Sequence, residues 1–395
     1  MKYRVEPLAS KSEKLVIGLM SGTSCDGIDA SLVKIRGSYK DTKVEEIAFI
    51  TIPYEESVRA ELLEVVKGSS GGSKRLMELS FLLGDLFLEA ALKVCEKAAI
   101  DKTQVDLIGS HGHTVFHQPI AEEYLGHMVR GTMQLGDVSK LAATFKCPVV
   151  SDFRTRDFAE GGMGAPLVPY SEFILFSDKN KNVAYQNIGG IGNISLLKKD
   201  GDQNEIIAFD TGPGNVLLDA LISYYSNGKL RYDEDGSLAS KGELNEQLKN
   251  FFLQDEYLQK RAPKTTGREY YNSAYVDKII KKAQSEKIKV EDVLYTTCYF
   301  TAYSIKKGLL DFPSFKVDKL VVAGGGCHNK TLMTIISSLL PDVEVKTADE
   351  EGFNSDSKEA VAFAVLANET ISGNENCLTG ATGAKRPSVL GKIQF

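Results

Sequence analysis

The turn at residues 22–29 has the composition of a phosphate site. Its residues are Gly22, Thr23, Ser24, Cys25, Asp26, Gly27, Ile28 and Asp29. Its two glycines can take positive φ and let a ligand approach the backbone, and its two hydroxyl side chains add donors beside the exposed N–H groups. The carboxylates of Asp26 and Asp29 would repel a bare phosphate, so they favour a divalent cation between the protein and a nucleotide. The alternative is an ordinary tight hairpin in which Asp-Gly sets the turn.

A second polar segment, residues 152–169, could supply acid–base chemistry. Within nine residues it carries three carboxylates and two guanidinium groups, namely Asp152, Asp157, Glu160, Arg154 and Arg156. A positioned carboxylate could act as a general base, and the arginines could bind an anion. The alternative is a solvated turn between domains, in which the charges form compensating ion pairs.

Three histidines lie close together in the stretch SHGHTVFHQP. Alternation would place His111, His113 and His117 on one side of an extended segment, an arrangement that could bind zinc. No cysteine or carboxylate cluster completes such a site in the sequence, and a polar loop at a strand end is the commoner case. We therefore expect a loop at residues 111–114.

Two glycine-rich turns occur in the second half of the chain. One is the tip of NIGGIGNISLL, which contains Asn187, Gly189 and Gly190, and the other begins with Gly324 and Gly325 after an apolar run. Both could bring backbone N–H groups to an anion. The sequence contains no G-x-x-x-x-G-K-[ST] motif and no G-x-G-x-x-G motif that opens a helix after a strand, so P-loop and Rossmann sites are unlikely.

The elements that must position these groups repeat in the two halves of the chain. In the first half, strands are predicted within 16–36, at 44–54 and at 105–110, and helices at 56–67, 74–99 and near 137–146. The second half repeats this order, with a hairpin at 183–197, strands at 205–209, 319–323 and 343–347, and helices from 215, at 329–340 and at 356–370. A helical insertion is predicted near 226–310.

The repeated order predicts an α/β fold with two mixed sheets and helices on both faces. We expect an N-terminal domain formed by residues 1–147 plus 371–395, and a second domain at 148–370. The glycine turns would then line the walls of one cleft between the domains.

Composition narrows the class of protein. A chain of 395 residues suggests two domains, and 43% apolar residues provide enough material for two cores. The net charge of −6 with scattered Lys and Arg argues against nucleic acid and anionic membranes as partners. The dispersed cysteines, the lack of a signal-like segment and the lack of a long apolar run predict a reduced, cytoplasmic protein that does not span a membrane.

Taken together, seven motifs resemble those of the anhydro-N-acetylmuramic acid kinase family, from about residue 15 to 371. They are GLMSGTSCDGID (18–29), SHGHTVFHQP (110–119), DFRTRDFAEGGMGAPLVP (152–169), NIGGIGNISLL (187–197), FDTGPGN (209–215), PKTTGREYYN (263–272) and AGGGCHN (323–329). The resemblance implies the fold of actin, sugar kinases and heat-shock chaperone ATPases, in which two ribonuclease-H-like domains clamp a nucleotide.

The resemblance also implies a reaction. ATP would phosphorylate O6 of 1,6-anhydro-N-acetylmuramic acid while water opens the anhydro bridge, giving N-acetylmuramic acid 6-phosphate, with Asp157 as the base. Residues 22–29 would form the ATP-binding loop together with Asn187, Gly189, Gly190, Gly324 and Gly325, and Asp26 would contact Mg²⁺. The implied sugar contacts are His111, Arg154, Gly161 and Gly162.

The sequence departs from the family pattern at a few positions. His113 and Met163 stand where the family commonly has glutamine, Gly192 replaces a frequent alanine, and Asn187 stands where distant relatives carry an acidic residue. A kinase for another anhydro- or amino-sugar and an actin-like ATP-driven binding module stay open as alternatives. The oligomeric state also stays open, with a homodimer as one option.

Overall fold

The computed structural model describes residues 5–68, 72–261, 264–311 and 314–395. The strands are β1 Glu13–Ser21, β2 Gly27–Arg36, β3 Lys43–Pro53, β4 Leu107–Tyr124, β5 His127–Leu135, β6 Val149–Ser151, β7 Val183–Ile188, β8 Ile191–Leu197, β9 Ile207–Pro213, β10 Lys319–Ala323, β11 Glu344–Thr347 and β12 Lys392–Gln394. The α-helices are α1 Val5–Ala9, α2 Glu56–Val66, α3 Ser73–Ala98, α4 Ser139–Phe145, α5 Phe153–Ala159, α6 Val168–Phe176, α7 Val216–Tyr225, α8 Glu246–Leu253, α9 Ser273–Ser285, α10 Val290–Asp311, α11 Lys330–Leu339, α12 Lys358–Ser372 and α13 Thr379–Thr382.

The chain divides into two compact units, and the first contains the sheet β12-β6-β4-β1-β2-β3. β1, β2 and β3 form an antiparallel meander, whereas β4 runs parallel to β1 and β6 runs parallel to β4. Most of β1 is buried without the alternation of a half-exposed strand. Such continuous burial is typical of a sheet that is covered on both faces.

The second unit contains the sheet β11-β10-β7-β8-β9. β7, β8 and β9 again form an antiparallel meander, and β10 and β11 continue in parallel on the other side of β7. This is the arrangement of β6-β4-β1-β2-β3 in the first unit, whose sheet has β5 and β12 in addition. The predicted duplication is therefore confirmed, and so is the expected pair of ribonuclease-H-like folds.

The division between the units differs from the predicted boundaries at 148 and 371. The first unit extends to Leu175 and resumes at Asp356, and the second runs from Phe176 to Ser355. The reason is helix α12, which lies directly on β1 and β4. A β-carbon on Gly18 would overlap the carbonyl oxygen of Ala360, and one on Gly109 would overlap that of Phe363.

The loop expected at residues 111–114 was wrong, because β4 continues through it to Tyr124. Beyond Ser110 the strand pairs with β5, which was not predicted, in an antiparallel register that sets His113 opposite Leu135. The turn of this hairpin uses Leu125 at φ 51° and Gly126 at φ 79°. Two positive φ values suit a tight hairpin, but Leu-Gly lacks the Asn or Asp that usually marks one.

Two smaller differences concern the site segments. Residues 153–159, for which no secondary structure was predicted, form helix α5. The strand predicted at 205–209 begins later and continues through Asp210 to Pro213. The remaining predicted strands and helices are confirmed, most with shifts of one to three residues at their ends.

Each unit has its own hydrophobic core. In the first, Ile17 and Leu32 of the sheet pack with Leu83 and Phe87 of α3. In the second, the helices of the predicted insertion contribute to the core with the sheet, as Phe252 stacks on Phe300 at 4.5 Å between ring centroids. The six cysteines are buried, and none of them forms a disulfide. Within the described ranges, we find no helix with the length and apolar character of a membrane span.

Candidate active site

The 22–29 turn joins β1 to β2 and presents its polar side chains to solvent. Thr23, Ser24 and Asp26 are exposed, whereas Cys25 and Ile28 are buried in the core. The last two side chains therefore cannot contact a nucleotide, and only their backbone remains available. The polar face of the turn keeps the hydroxyl and carboxylate groups that were predicted for a phosphate site.

The two glycines of this turn have different structural roles. Neither has positive φ, and the left-handed residue is Cys25 at φ 56°. A β-carbon on Gly27 would overlap the carbonyl of Ile52, so Gly27 is needed for the pairing of β2 with β3. A β-carbon on Gly22 would meet only Ser24 Oγ, at 3.8 Å. Gly22 is thus the glycine with free space beside it.

A buried hydrogen-bond network holds the base of the turn. The hydroxyl of Tyr54 donates to Ser21 Oγ at 2.8 Å, and Ser21 Oγ lies 3.0 Å from His113 Nδ1. Cys25 Sγ lies 3.7 Å from His113 Nε2. Burial lowers the pKa of His113 to about 4, so the ring is neutral near pH 7. His113 therefore acts as a positioning residue under the turn.

The two carboxylates near the turn are not equivalent. Asp29 accepts a hydrogen bond from Thr51 Oγ1 at 2.6 Å, and burial raises its pKa. The carboxylate of Asp26 is exposed and has no hydrogen bond or ion pair within the described chain. Mg²⁺ prefers carboxylate oxygens together with water and phosphate oxygens. Asp26 is consequently the member of the pair that fits the predicted metal contact.

Asp157 is fully buried and is held by three donors. Its Oδ2 accepts from the backbone N–H of Gly164 at 2.6 Å. Its Oδ1 accepts from Thr382 Oγ1 at 2.7 Å and from Cys377 Sγ at 2.8 Å. Charge-assisted hydrogen bonds of this length fix a carboxylate firmly. The carboxylate is therefore locked in one orientation.

The ion pairs proposed as the alternative for this segment exist at Glu160 and Asp152, but not at Asp157. Glu160 pairs with Arg156 at 2.6 Å and with Arg386 at 2.9 Å, and Asp152 pairs with Lys392. Within the ranges that the structure describes, no salt bridge reaches Asp157. Asp157 therefore differs from the other two carboxylates in being buried without a salt bridge, although its charge interacts with that of Arg154.

His111 and Arg154 lie together in the same unit. Arg154 Nε donates to His111 Nε2 at 2.9 Å, and Arg154 Nη1 donates to the carbonyl of Gly164 at 2.6 Å. The other ring nitrogen of His111 lies 3.0 Å from the Gly112 carbonyl. Burial, with the nearby charge of Arg154, lowers the pKa of His111 to about 3. A neutral His111 thus orients Arg154 toward the loop that covers Asp157.

That loop contains the two glycines assigned to the sugar. Gly161 has φ +90°, a conformation that favours glycine, and a β-carbon on Gly162 would overlap Asp157 Oδ2. Met163 is exposed on the same loop, and its N–H donates to the carbonyl of Thr382. The close approach of Gly162 explains why no larger residue fits beside the carboxylate.

In the second unit, the turn between β7 and β8 is bound to the start of helix α7. The carbonyl of Gly189 accepts from the N–H of Asn215 at 2.8 Å, and that of Gly190 accepts from the N–H groups of Gly214 and Val216. The predicted glycine turn and the FDTGPGN motif therefore form one structure. The carbonyls of the turn accept from N–H groups at the start of α7, which defines the shape of the turn.

The glycine triplet lies against the same turn. Gly324 has φ +79°, and a β-carbon there would be 2.6 Å from Asn187 Oδ1. A β-carbon on Gly326 would overlap the side chain of Ile188. Asn187, Gly189, Gly190, Gly324 and Gly325 were assigned to ATP from the resemblance, and the fold of the second unit brings them together.

One further motif residue, Asp210, supports this region. Asp210 accepts from Thr265 Oγ1 and from the N–H of Thr266, both at 2.9 Å, which joins FDTGPGN to TTGREYYN. Burial raises the pKa of Asp219 on α7 to about 6, and Arg268 opposes the shift. Pro263, which opens the PKTTGREYYN motif, lies outside the described residues.

The histidine stretch does not form a metal site. His117 Nδ1 lies 3.1 Å from Thr132 Oγ1, whereas His111 and His113 have the separate partners given above. Among described residues, only Cys327, His328 and Asp349 place three potential metal-ligand atoms within 4.8 Å of one another. The zinc alternative for the histidines is therefore not supported.

Sequence reasoning missed the C-terminal partners of Asp157. Cys377 and Thr382 lie more than 200 positions from Asp157, and the resemblance was drawn only to residue 371. Ser21 was within a quoted motif, but its link to Tyr54 was not predicted. The repeated Thr-Gly-Ala at 379–384 was the available signal in the tail.

Comparisons with known proteins agree with these motifs. A family model described as anhydro-N-acetylmuramic acid kinase matches residues 14–395, which includes the tail. A protein of that name from Caldanaerobacter subterraneus subsp. tengcongensis is 48% identical over 394 residues, covering 99% of this chain and 100% of its own length. Another of the same name from Clostridioides difficile is 43% identical over 379 residues, covering 95% and 97%.

The solved structures that resemble this chain include a distant one. A ROK family glucokinase from Streptomyces griseus, in complex with glucose and AMPPNP, covers 90% of this chain and 99% of its own at 10% identity, with a TM-score of 0.38. The assignment to a family therefore rests on the family model and the relatives identified by sequence.

Proposed function

The chain belongs to the anhydro-N-acetylmuramic acid kinase family, and we propose that it phosphorylates 1,6-anhydro-N-acetylmuramic acid at O6 with ATP while water opens the anhydro bridge. The observation that carries this proposal is the match over nearly the whole chain. The products are N-acetylmuramic acid 6-phosphate and ADP. The absence of disulfide bonds among the six cysteines and the use of ATP favour a cytoplasmic location.

In this proposal Asp157 takes the proton from the attacking water. The water oxygen forms a bond to C1, the C1–O6 bond breaks, and O6 accepts the γ-phosphoryl group as its bond to ADP breaks. A carboxylate that activates water at an anomeric carbon is also used in inverting glycoside hydrolysis. The donors from Gly164, Thr382 and Cys377 support the role, because they fix the carboxylate and leave a lone pair of Oδ2 unused.

Asp157 is covered in the structure, so substrate must reach it through the 161–164 loop. We assign His111, Arg154, Gly161 and Gly162 to this sugar side. Arg154 supports the assignment because it grips the loop at the Gly164 carbonyl while His111 orients its guanidinium. Binding of the sugar would replace the loop backbone beside the carboxylate.

For the nucleotide, we assign the solvent-facing side of the 22–29 turn in the first unit and the glycine turns in the second. Mg²⁺, when bound, would neutralise the phosphate charge, and the free carboxylate of Asp26 is the residue suited to hold it. Phosphoryl transfer depends mainly on positioning and charge stabilisation. Backbone-rich turns with hydroxyl side chains supply both.

The test is incubation with ATP, Mg²⁺ and 1,6-anhydro-N-acetylmuramic acid, followed by mass analysis of the sugar. The expected product has gained one phosphate group and one water molecule. ADP release without sugar would favour an ATP-driven binding module instead. Phosphorylation of 1,6-anhydro-N-acetylglucosamine alone would favour a kinase for a different amino-sugar.

A further inference from the structure

A cavity of about 500 Å³ opens beside the loop that covers Asp157. It lies within the first unit, and three segments line it. These are β5 through Arg130, the end of α5 with the residues after it, and the C-terminal segment through Lys385 and Arg386. A cavity of this size is sufficient for part of a small-molecule ligand.

The cavity has more positive than negative charge. Arg130, Lys385 and Arg386 line it against one carboxylate, Glu160. Both oxygens of Glu160 are used, one by Arg156 and the other by Arg386. Within the described parts of the chain, no carboxylate lies within salt-bridge distance of Arg130 or Lys385. Two unpaired cations therefore border the same space.

Both cations are held in place by the segment that follows Asp157. The guanidinium of Arg130 lies 5.7 Å from the ring centroid of Phe158 and donates to its carbonyl at 3.4 Å. The N–H of Lys385 donates to the Glu160 carbonyl at 2.8 Å, and its side chain lies along Gly161. Like charges held near each other cost free energy, and a bound anion would lower that cost.

The cavity wall continues directly to the carboxylate assigned as the base. Gly161 lines the cavity, and the next residue, Gly162, lies against Asp157 Oδ2. An anionic group in the cavity would therefore place the rest of its molecule near the 161–164 loop. The sugar of the proposed reaction carries a single charge, the carboxylate of its 3-O-lactyl group.

We propose that Arg130 and Lys385 bind the lactyl carboxylate of the sugar and so select muramic over glucosamine anhydrosugars. This inference rests on the proposed function and adds a subsite to it. The guanidinium and the ammonium contact the carboxylate, and neither takes part in bond breaking. Their removal should weaken binding of the sugar and leave the chemical step nearly unchanged.

The test uses Arg130→Gln, Lys385→Gln and the double variant, with Lys102→Gln in an exposed turn as the control for a lost positive charge. Calorimetry with a non-hydrolysable ATP analogue gives the Kd of 1,6-anhydro-N-acetylmuramic acid and of its methyl ester, which keeps the lactyl group without the charge. Each single variant should raise the Kd of the acid roughly 10- to 100-fold. The Kd of the ester should stay near the wild-type value in every variant.

Equal binding of acid and ester by the wild-type protein would overturn the proposal, and so would variants that weaken both ligands to the same extent. Thermal unfolding of each variant identifies any loss through misfolding. Turnover by the wild-type protein is measured separately. If the wild-type protein phosphorylates the sugar while the variants bind the acid with the wild-type Kd, the assignment of Arg130 and Lys385 to the carboxylate is wrong and the proposed function stands.

Discussion

Replacing Asp157 by Asn is the most direct test of the mechanism, and the structure defines what the change does. If the new amide kept its oxygen toward Thr382 and Cys377, its NH₂ group would face the N–H of Gly164, which is 2.6 Å from Oδ2 in the native protein. The opposite orientation avoids this clash. The amide oxygen then accepts from Gly164, and the NH₂ group donates to Thr382 Oγ1.

Thr382 can accept that bond because its hydroxyl has a second partner, the carbonyl of Leu378 at 3.3 Å. The substitution replaces the hydrogen bonds to a charge from Gly164 and Thr382 by neutral ones and breaks the bond from Cys377 Sγ, a loss of about 1 kcal/mol for each of the three. It also removes a buried charge, whose desolvation penalty is several kcal/mol and acts in the opposite direction. The terms largely cancel, so we expect a change in Tm below about 4 °C.

Activity should fall far more than stability. Loss of a general base commonly costs about 10²- to 10⁴-fold in kcat, and ring opening and phosphorylation should be lost together. The assay is product formation from 1,6-anhydro-N-acetylmuramic acid at saturating ATP. Asp152→Asn is the matched control, because Asp152 belongs to the same segment but pairs with Lys392 at the surface. A folded Asp157→Asn protein with wild-type kcat would refute the assigned role.

Three other predictions follow from the geometry. Gly18→Ala should lower the unfolding free energy by about 1–3 kcal/mol or more, because its methyl group would displace α12. The control is Gly131→Ala, which has nothing within 4 Å of its β-carbon and should leave the stability nearly unchanged in the same thermal melts. Gly22→Val should fold normally and raise the KM for ATP, and unchanged KM and kcat would exclude this turn as the phosphate site. In the folded protein the pKa is about 3 for His111 and about 4 for His113. In the unfolded chain each histidine is protonated near its ordinary pKa of about 6.5, so the stability should fall as the pH drops below that value. The expected loss is about 2 kcal/mol for each histidine down to about pH 5. In urea titrations His113→Gln should reduce that loss, and an unaltered pH dependence would contradict the buried, neutral state of His113.

Local pattern was sufficient to predict most of the fold. The meander that opens each half of the chain consists of apolar runs separated by glycine-containing turns, so its strands could be placed from sequence. β4 could not be followed past Ser110, because its pairing partner there is a strand ending in a turn with an unusual sequence, Leu125-Gly126. The helix α12 was predicted, but its assignment to the first unit depends on its packing against Gly18. Sequence periodicity does not reveal such a tertiary contact.

The candidate site also has one part formed by local sequence and one part formed by contacts between distant residues. The 22–29 turn is local, so its exposed hydroxyl and carboxylate groups could be predicted, although the buried side chain of Cys25 could not. Asp157 depends on contacts far apart in the chain, since its donors come from the loop at Gly164 and from the tail at Cys377 and Thr382. A buried carboxylate needs its donors to offset the loss of water, so they are as necessary to the site as the carboxylate itself. The tail is therefore part of the candidate site, and reasoning confined to the charged segment at 152–160 could identify the carboxylate but not what holds it in place.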